Sequence, residues 1–329
     1  MKLLYLTDTH IRASSPQNRT DDFVETLKNK FREVNEIARR EQVDAILHGG
    51  DFFDIPSPSL SVCGDFVSLM SQAGVPIYGI AGNHDVFGHN PDTLPRTVLG
   101  FIDRIGVVKL IHPGQPLFLE KDGLKVQVSG QHYHYDLDRR DPRLDYVIDS
   151  VEADIGIHLV HGMLMDKAFM EGVAHTRVDQ IVDTKAHLTL CGHNHLGWPE
   201  IRHDGKIFYN PGGFVRLSNH PNDASRRPQV LLLDMTSGEL QIKKIKLKSA
   251  PPGDECLDRS KNEEAAFMQQ RLAEFVQGIK AAGDYKVIDI EAIIDEIAGR
   301  DGLPGEVREE AMGRIAAAQE RLSMGENAR

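Results

Sequence analysis

Long apolar runs are missing from this chain. In its 329 residues no stretch approaches the roughly 20 apolar residues that cross a bilayer, and the apolar part of the opening "MKLLYLTDTH" is too short for the core of a secretory leader. These absences predict a cytoplasmic protein without membrane association. Cysteine is scarce too: Cys63, Cys191 and Cys256 are odd in number, scattered and without C-x-x-C spacing, so neither a disulfide framework nor a structural zinc site is indicated. Basic charge is not in excess. Lys and Arg total 38 against 49 Asp and Glu, a net charge of -11, which argues against a protein that holds nucleic acid by bulk charge. Internal repeats and a P-loop are also absent, so any ATP-driven step requires another chain.

What is present is alternation. The apolar run "KLLYLT" precedes a helix that opens at "TDDF", where Thr20 can cap and Asp21 and Asp22 suit the positive end of the helix dipole, and that reaches about Arg40. The strand "DAILHG", a helix over 59–72, the strand "PIYGIA" and a helical stretch over 94–105 follow, the pattern of an α/β sheet with helices packed outside it. From about Val107 the pattern changes to strands and hairpins, with turns at Asp122-Gly123, Asp204-Gly205 and near Ser237-Gly238, which predicts a second sheet packed on the first. The reading divides the chain into a sheet domain over 1–248, a linker over 249–260 carrying "SAPPGDE", and a helical, acidic C-terminal extension over 261–329.

Chemistry collects at the strand ends. After "LLYLT" comes Asp8-Thr9-His10; after "AILHG" comes Gly50-Asp51; after "IYGIA" comes Gly82-Asn83-His84-Asp85; "IGIHLV" ends at His161-Gly162, and "LTLC" ends at Gly192-His193-Asn194-His195. Each block is weak evidence by itself, since Asp and Asn are ordinary turn residues. Five strand ends that all carry hard or borderline metal ligands point to one site, because ligands of open α/β sheets gather outside the carboxyl ends of the strands. Two divalent cations about 3.5 to 4 Å apart lower the pKa of a shared water and clamp phosphoryl oxygens during in-line attack, and a bridging carboxylate sets their separation. Imidazoles and carboxylates suit Mn, Fe or Zn, so the donor set alone does not choose the metal; Mn is the expected ion, with Fe or Zn as alternatives.

The five blocks D-x-H, G-D, G-N-H-[DE], H and G-H-x-H resemble, without substitution, the signature of the calcineurin-like metallophosphoesterases over about residues 1–215. The resemblance implies two mixed β-sheets sandwiched between helices. It also implies that Asp8, His10 and His195 bind one metal, Asn83, His161 and His193 the other, and that Asp51 bridges them, with His84 as the catalytic imidazole and Asp85 orienting it. His48 reads as packed beside the active-site turn, His158 as facing away from the site by strand alternation, His187 as the start of its strand, and His132 and His134 as a surface loop.

"GGDFFDIPSPS" and "NPGGFVRLS" resemble stretches of the SbcD-type DNA repair nuclease subunits, with Gly213 where that branch usually has Ser. What this implies is a DNA exo- or endonuclease of repair or recombination, an SbcC-type ATPase partner docked on the C-terminal helices, and homodimers formed through the helices near 59–72 and 91–105. Substrate-side cations are sought in Arg216, Arg226 and Arg227, whereas the lysines of "IKKIKLK" read as protection of a solvated edge strand. Other readings are a phosphatase or phosphodiesterase for small molecules or phosphoproteins, favoured by the acidic balance, and a non-catalytic scaffold, opposed by the complete ligand set.

Overall fold

The computed structural model describes residues 1–170, 172–258, 260, 271, 304–311 and 313–314, and the chain divides into a unit Met1–Asn262 and a unit Glu263–Arg329. In the second unit the described residues 305–311 are helical; the remainder of the expected C-terminal extension lies outside the described residues.

The first unit runs β1 (Lys2–Leu6), α1 (Phe23–Glu41), β2 (Ala45–His48), α2 (Leu60–Ser71), β3 (Ile77–Gly79), α3 (Val98–Arg104), β4 (Lys109–Leu110), β5 (Leu117–Lys121) and β6 (Leu124–Gln131). It continues with α4 (Arg143–Tyr146), β7 (Ile155–Val160), β8 (Leu164–Met165), β9 (Thr176–Arg177), β10 (Leu188–Cys191), β11 (Trp198–His203), β12 (Lys206–Asn210), α5 (Pro221–Ser225), β13 (Gln229–Asp234), β14 (Gln241–Lys246) and α6 (Gly253–Cys256). One six-stranded sheet has the order β14-β13-β1-β2-β3-β4 and another β11-β12-β10-β7-β6-β5. Each is mixed: β1, β2, β3 and β4 run parallel, with β13 antiparallel to β1 and β14 antiparallel to β13, and β12, β10, β7 and β6 run parallel with β11 and β5 antiparallel at the edges.

Strand alternation builds the layers. Leu3 and Tyr5 of β1 point between the sheets, where they meet Leu47, Val126, Val128, Ile157, Leu159, Leu188 and Leu190. Leu4 and Leu6 point the other way, onto Phe23, Leu27, Phe31 and Val34, which recur every three or four residues along one face of α1. The outer face of the second sheet is covered by Tyr146, Val178 and Ile181. The hairpin turns fall where expected: Asp122 and Gly123 have φ of 54° and 78°, Asp204 and Gly205 of 47° and 75°, the paired positive values that tight hairpins require. β14 forms a sheet edge and exposes its lysines.

Two expectations are corrected. Helix α1 is capped by Asp22, whose side chain accepts from the Glu25 N–H at 3.0 Å. Thr20 is engaged elsewhere, its N–H on the Cys256 carbonyl at 3.2 Å and its hydroxyl on the Glu255 carbonyl at 3.2 Å. Those bonds show the second correction: residues 249–258 are no free tether. Glu33 accepts from the N–H groups of Lys248 and Ser249 and from the Ser249 hydroxyl, Leu257 bridges to Arg19, and Cys256 and Leu257 are 0% and 4% exposed. A Cβ on Gly253 would lie 2.1 Å from the Ala224 carbonyl oxygen, so this proline- and glycine-bearing stretch is shaped by close packing.

Because Leu257 is buried, Leu257→Ala is expected to destabilise the first unit by about 2–5 kcal/mol in denaturant unfolding, where a linker residue would give nearly nothing. Glu33 adds a pH signature. Burial opposes its charge, but the Ser249 and Lys248 donors outweigh it and hold the carboxyl below its ordinary value. Its contribution is therefore present above the unfolded pKa and lost as pH falls through the folded one, so Glu33→Gln should destabilise at pH 7 and lose its effect in acid.

Candidate metal centre

Parallel β1, β2 and β3 of one sheet and β7 and β10 of the other bring their carboxyl ends to one edge of the sandwich. Backbone bonds tie the loops there: Asp8 N–H to the Gly50 carbonyl at 3.0 Å, His10 N–H to the Asp51 carbonyl at 3.1 Å, and Phe214 N–H to the Thr7 carbonyl at 2.9 Å. The turn out of each strand is sharp. Asp8, His10, Asp51 and His193 have φ of 56°, 42°, 54° and 68°, a left-handed backbone that costs non-glycine residues about 1–2 kcal/mol each. Four candidate ligands held this way are over-determined by their surroundings. Gly82 is needed for space, since a Cβ there would lie 2.1 Å from Asp51 Oδ1.

The seven candidate ligands converge. Asp8, His10, Asp51 and His195 form one group and Asp51, His161 and His193 another, each with ligand atoms within 4.8 Å of one another. Asp51 belongs to both. His10 Nε2 and His195 Nε2 stand 2.9 Å apart, Asp51 Oδ2 lies 3.2 Å from His161 Nε2 and 3.5 Å from His10 Nε2, and Asp8 Oδ1 lies 3.4 Å from His195 Nε2. Asn83 joins the second group through Oδ1, which lies 2.8 Å from His193 Nδ1 and 3.3 Å from His161 Nε2. His161 is aimed by its other nitrogen, since Nδ1 donates to the Gly49 carbonyl at 2.8 Å, the kind of outer contact that fixes which imidazole nitrogen faces a metal.

The electrostatics demand positive charge. Burial opposes ionisation of Asp8 and Asp51, yet the imidazoles of His195 and His161 hold both carboxyls well below their usual range. Burial likewise opposes a charge on His161, but Asp51 and Asp8 raise it to about 9; His193 is lowered to about 4 by burial and by His161. Buried carboxylates, converging imidazoles and a carboxamide, with no thiolate, fit a pair of divalent cations.

His84 stands beside these two groups, its ring edge-on to His10 at 4.7 Å and its backbone N–H on Asp51 Oδ1 at 2.8 Å, and with His10 and Asp54 it forms a third group whose ligand atoms lie within 4.8 Å of one another. Here the structure corrects the role of Asp85. That carboxylate, 1% exposed, accepts from the N–H groups of Phe52, Phe53 and Gly82 at 3.2, 3.0 and 2.9 Å, fastening the Asp51 loop to the Asn83 loop. Burial and the nearby Asp51 raise it to about 7 despite those donors. The His84 ring is oriented by Asp54, whose carbonyl accepts from His84 Nδ1 at 2.8 Å. Asp54 had no role in the sequence reading; a second carboxylate three residues after Asp51 was its only signal. Its Oδ1 lies 3.5 Å from His10 Nδ1 and its Oδ2 lies 3.2 Å from Arg12 Nη1.

Other residues are elsewhere. His48 packs on Phe52 at a ring separation of 3.6 Å, His158 bonds to Ser129 and the Asp145 carbonyl, and His187 accepts from the Gly156 N–H just before β10. His132 is not on a surface loop: it is buried, accepts from the Ala81 N–H at 2.9 Å and meets His112 at 3.1 Å. His134 bonds to Asp145 at 2.9 Å. Arg216 is buried and donates to the carbonyls of Arg226 and Pro251, so its guanidinium serves the chain itself. Arg226 donates to Asp223 and to the carbonyls of Gly213 and Val215, and Arg227 to those of Leu247 and Lys248. At Gly213, where the SbcD-type branch usually has Ser, a Cβ would stand 3.3 Å from Asp8 Cβ and His195 Cγ, a tight contact beside two candidate ligands.

Fold and site together define a metal-centred hydrolase scaffold. The calcineurin-like phosphoesterase pattern matches residues 1–197, more than half of the chain, and the chain belongs to that family. It is 27% identical over 287 residues to the DNA double-strand break repair protein Mre11 of Haloferax volcanii, covering 83% of this chain and 58% of that protein. To the protein of the same name from Thermoplasma acidophilum it is 24% identical over 261 residues, covering 76% of this chain and 66% of the relative. The chain thus spans less than two thirds of the length of these curated relatives. A solved protein of Thermus thermophilus, TT1561, aligns over 74% of this chain and 99% of its own at 13% identity and a TM-score of 0.40, too distant to refine the fold described.

Gly82→Ala tests the packing against Asp51. Its methyl is expected to displace the carboxylate and lower metal affinity by about 10- to 100-fold, the range for disturbed outer contacts. Gly64→Ala, on α2 with nothing within 4 Å of the added carbon, should bind metal normally. Calorimetric metal titration of both decides it, and unchanged affinity in Gly82→Ala would contradict the arrangement.

Proposed function

We propose that this chain is a two-metal-dependent phosphodiesterase that cuts DNA, an exo- or endonuclease of the SbcD type in repair or recombination. The observation that carries the proposal is Asp51 shared between two ligand groups. Asp8, His10 and His195 would hold one ion, Asn83, His161 and His193 the other, and Asp51 both. The ions, Mn in this reading with Fe or Zn as alternatives, would supply a lowered water pKa and charge neutralisation at the phosphoryl group.

The chain's own groups do the rest. His84, with Nδ1 fixed on the Asp54 carbonyl, keeps Nε2 for the proton that the departing oxygen needs. Asp85 holds the loops that carry His84 and Asp51 in register. DNA as substrate is supported by the curated relatives, whose names state DNA double-strand break repair; an SbcC-type ATPase as partner rests on the resemblance of "GGDFFDIPSPS" and "NPGGFVRLS" to the SbcD-type subunits. Self-pairing through α2 and α3 is supported by Leu60, Phe101 and Ile105, which are 85%, 56% and 52% exposed. A cytoplasmic location accords with the described residues, in which no helix is long and apolar enough to cross a membrane. The net charge of -11 favours a second reading, a phosphatase or phosphodiesterase for small substrates.

Supplying Mn and comparing linear DNA, single strands, cyclic nucleotides and an aryl phosphodiester separates the two. Cleavage of DNA is expected, and turnover of small substrates alone would overturn the nuclease reading. Asp51→Asn should lower both metal content and activity, the latter by orders of magnitude. His84→Ala should keep both ions and lose about 10²- to 10⁴-fold in turnover, the usual worth of a positioned proton donor. Loss of metal in that variant would show that His84 is a ligand instead.

A further inference from the structure

A cavity of about 390 Å³ opens where the edges of the two sheets face each other, between β11 and β12 on one side and β13 and β14 on the other. It begins at Leu196, the residue after the candidate ligand His195. Four basic side chains line it, Arg226, Arg227, Lys244 and Lys246, and no acidic one does among the described residues. In a chain of net charge -11 such a lining is not a sample of the average surface. A second cavity of about 290 Å³ shares Arg226 and Arg227 and is lined as well by Arg216 and Asp254.

The lysines are placed for an external anion. Lys244 and Lys246 are two residues apart on β14 and so project from the same face. Both are exposed, and neither forms an ion pair among the described residues. Lys244 Nζ lies 4.9 Å from the centroid of the Tyr209 ring, which holds it over the cavity. Arg226 and Arg227 are occupied by carbonyls and Asp223, so they supply fixed positive potential while the lysines supply exposed donors.

We propose that this basic slot holds the phosphate backbone of a single nucleic-acid strand as it passes the metal centre, with Lys244 and Lys246 as its phosphate contacts. The proposal rests on the nuclease reading above. Positively charged grooves that track one strand are the general device for single-stranded nucleic acid, and the lysines then have a role beyond protecting an edge strand from pairing.

The test uses the full chain and a labelled single-stranded oligonucleotide in metal-free buffer, titrated at several salt concentrations. Removing one phosphate-binding charge lowers the slope of log affinity against log salt by about 0.7. Lys244→Gln and Lys246→Gln are each expected to show that drop and the double variant about twice it, with Mn-dependent hydrolysis of an aryl phosphodiester unchanged. An unchanged slope in the variants, with a wild-type protein that cleaves DNA, overturns the slot and leaves the nuclease reading standing. So does self-association of the variants with unchanged slope, the signature of edge protection alone. A wild-type protein that hydrolyses the aryl diester but binds no oligonucleotide overturns both.

Discussion

Two carboxylates, Asp8 and Asp51, sit 0% and 1% exposed in the same cleft, and among the described residues every ion-pair partner of either is a histidine. Two like charges cannot share a low-dielectric pocket without compensation. Imidazoles supply it only by taking protons: Asp51 and Asp8 raise His161 to about 9 against its burial, while burial and the neighbouring His161 lower His193 to about 4. Divalent cations would satisfy the same carboxylates and leave the imidazoles neutral, as ligands must be. The surrounding architecture serves this one constraint.

The constraint explains the backbone. Four candidate ligands adopt left-handed φ values, which only a closely bonded frame sustains. The frame is the set of cross-loop bonds, Asp8 to Gly50, His10 to Asp51, His161 to the Gly49 carbonyl, and Asp85 to three N–H groups at once. It draws on both sheets, so the interface between them positions the centre as well as burying Leu3, Tyr5 and Leu159. Glycine stands at 82 because Asp51 occupies the space a methyl would need.

Much of this was legible in the sequence. Strand alternation and Asp-Gly turns located the two sheets, and ligand-type residues after five strands located the centre, because those signals are local. The failures are non-local. Whether Asp85 or Asp54 orients His84 depends on how two loops meet; sequence adjacency favours the Asp85 carboxylate, whereas the acceptor is the backbone carbonyl of Asp54. Residues 249–260 read as a linker because Pro and Gly mark the absence of regular structure, which is a different matter from the absence of packing. Arg216 was read as substrate-facing because composition registers its charge and not the carbonyls that surround it.

The proposed function requires Asp51 to join two metal sites into one centre. Electron paramagnetic resonance of the Mn-loaded chain tests it directly, since ions about 3.5 to 4 Å apart are magnetically coupled. The account predicts the multiline spectrum of a coupled pair once two equivalents are bound, reduced to isolated-ion signals by Asp51→Asn. Isolated-ion signals from the wild-type chain at full loading would contradict it.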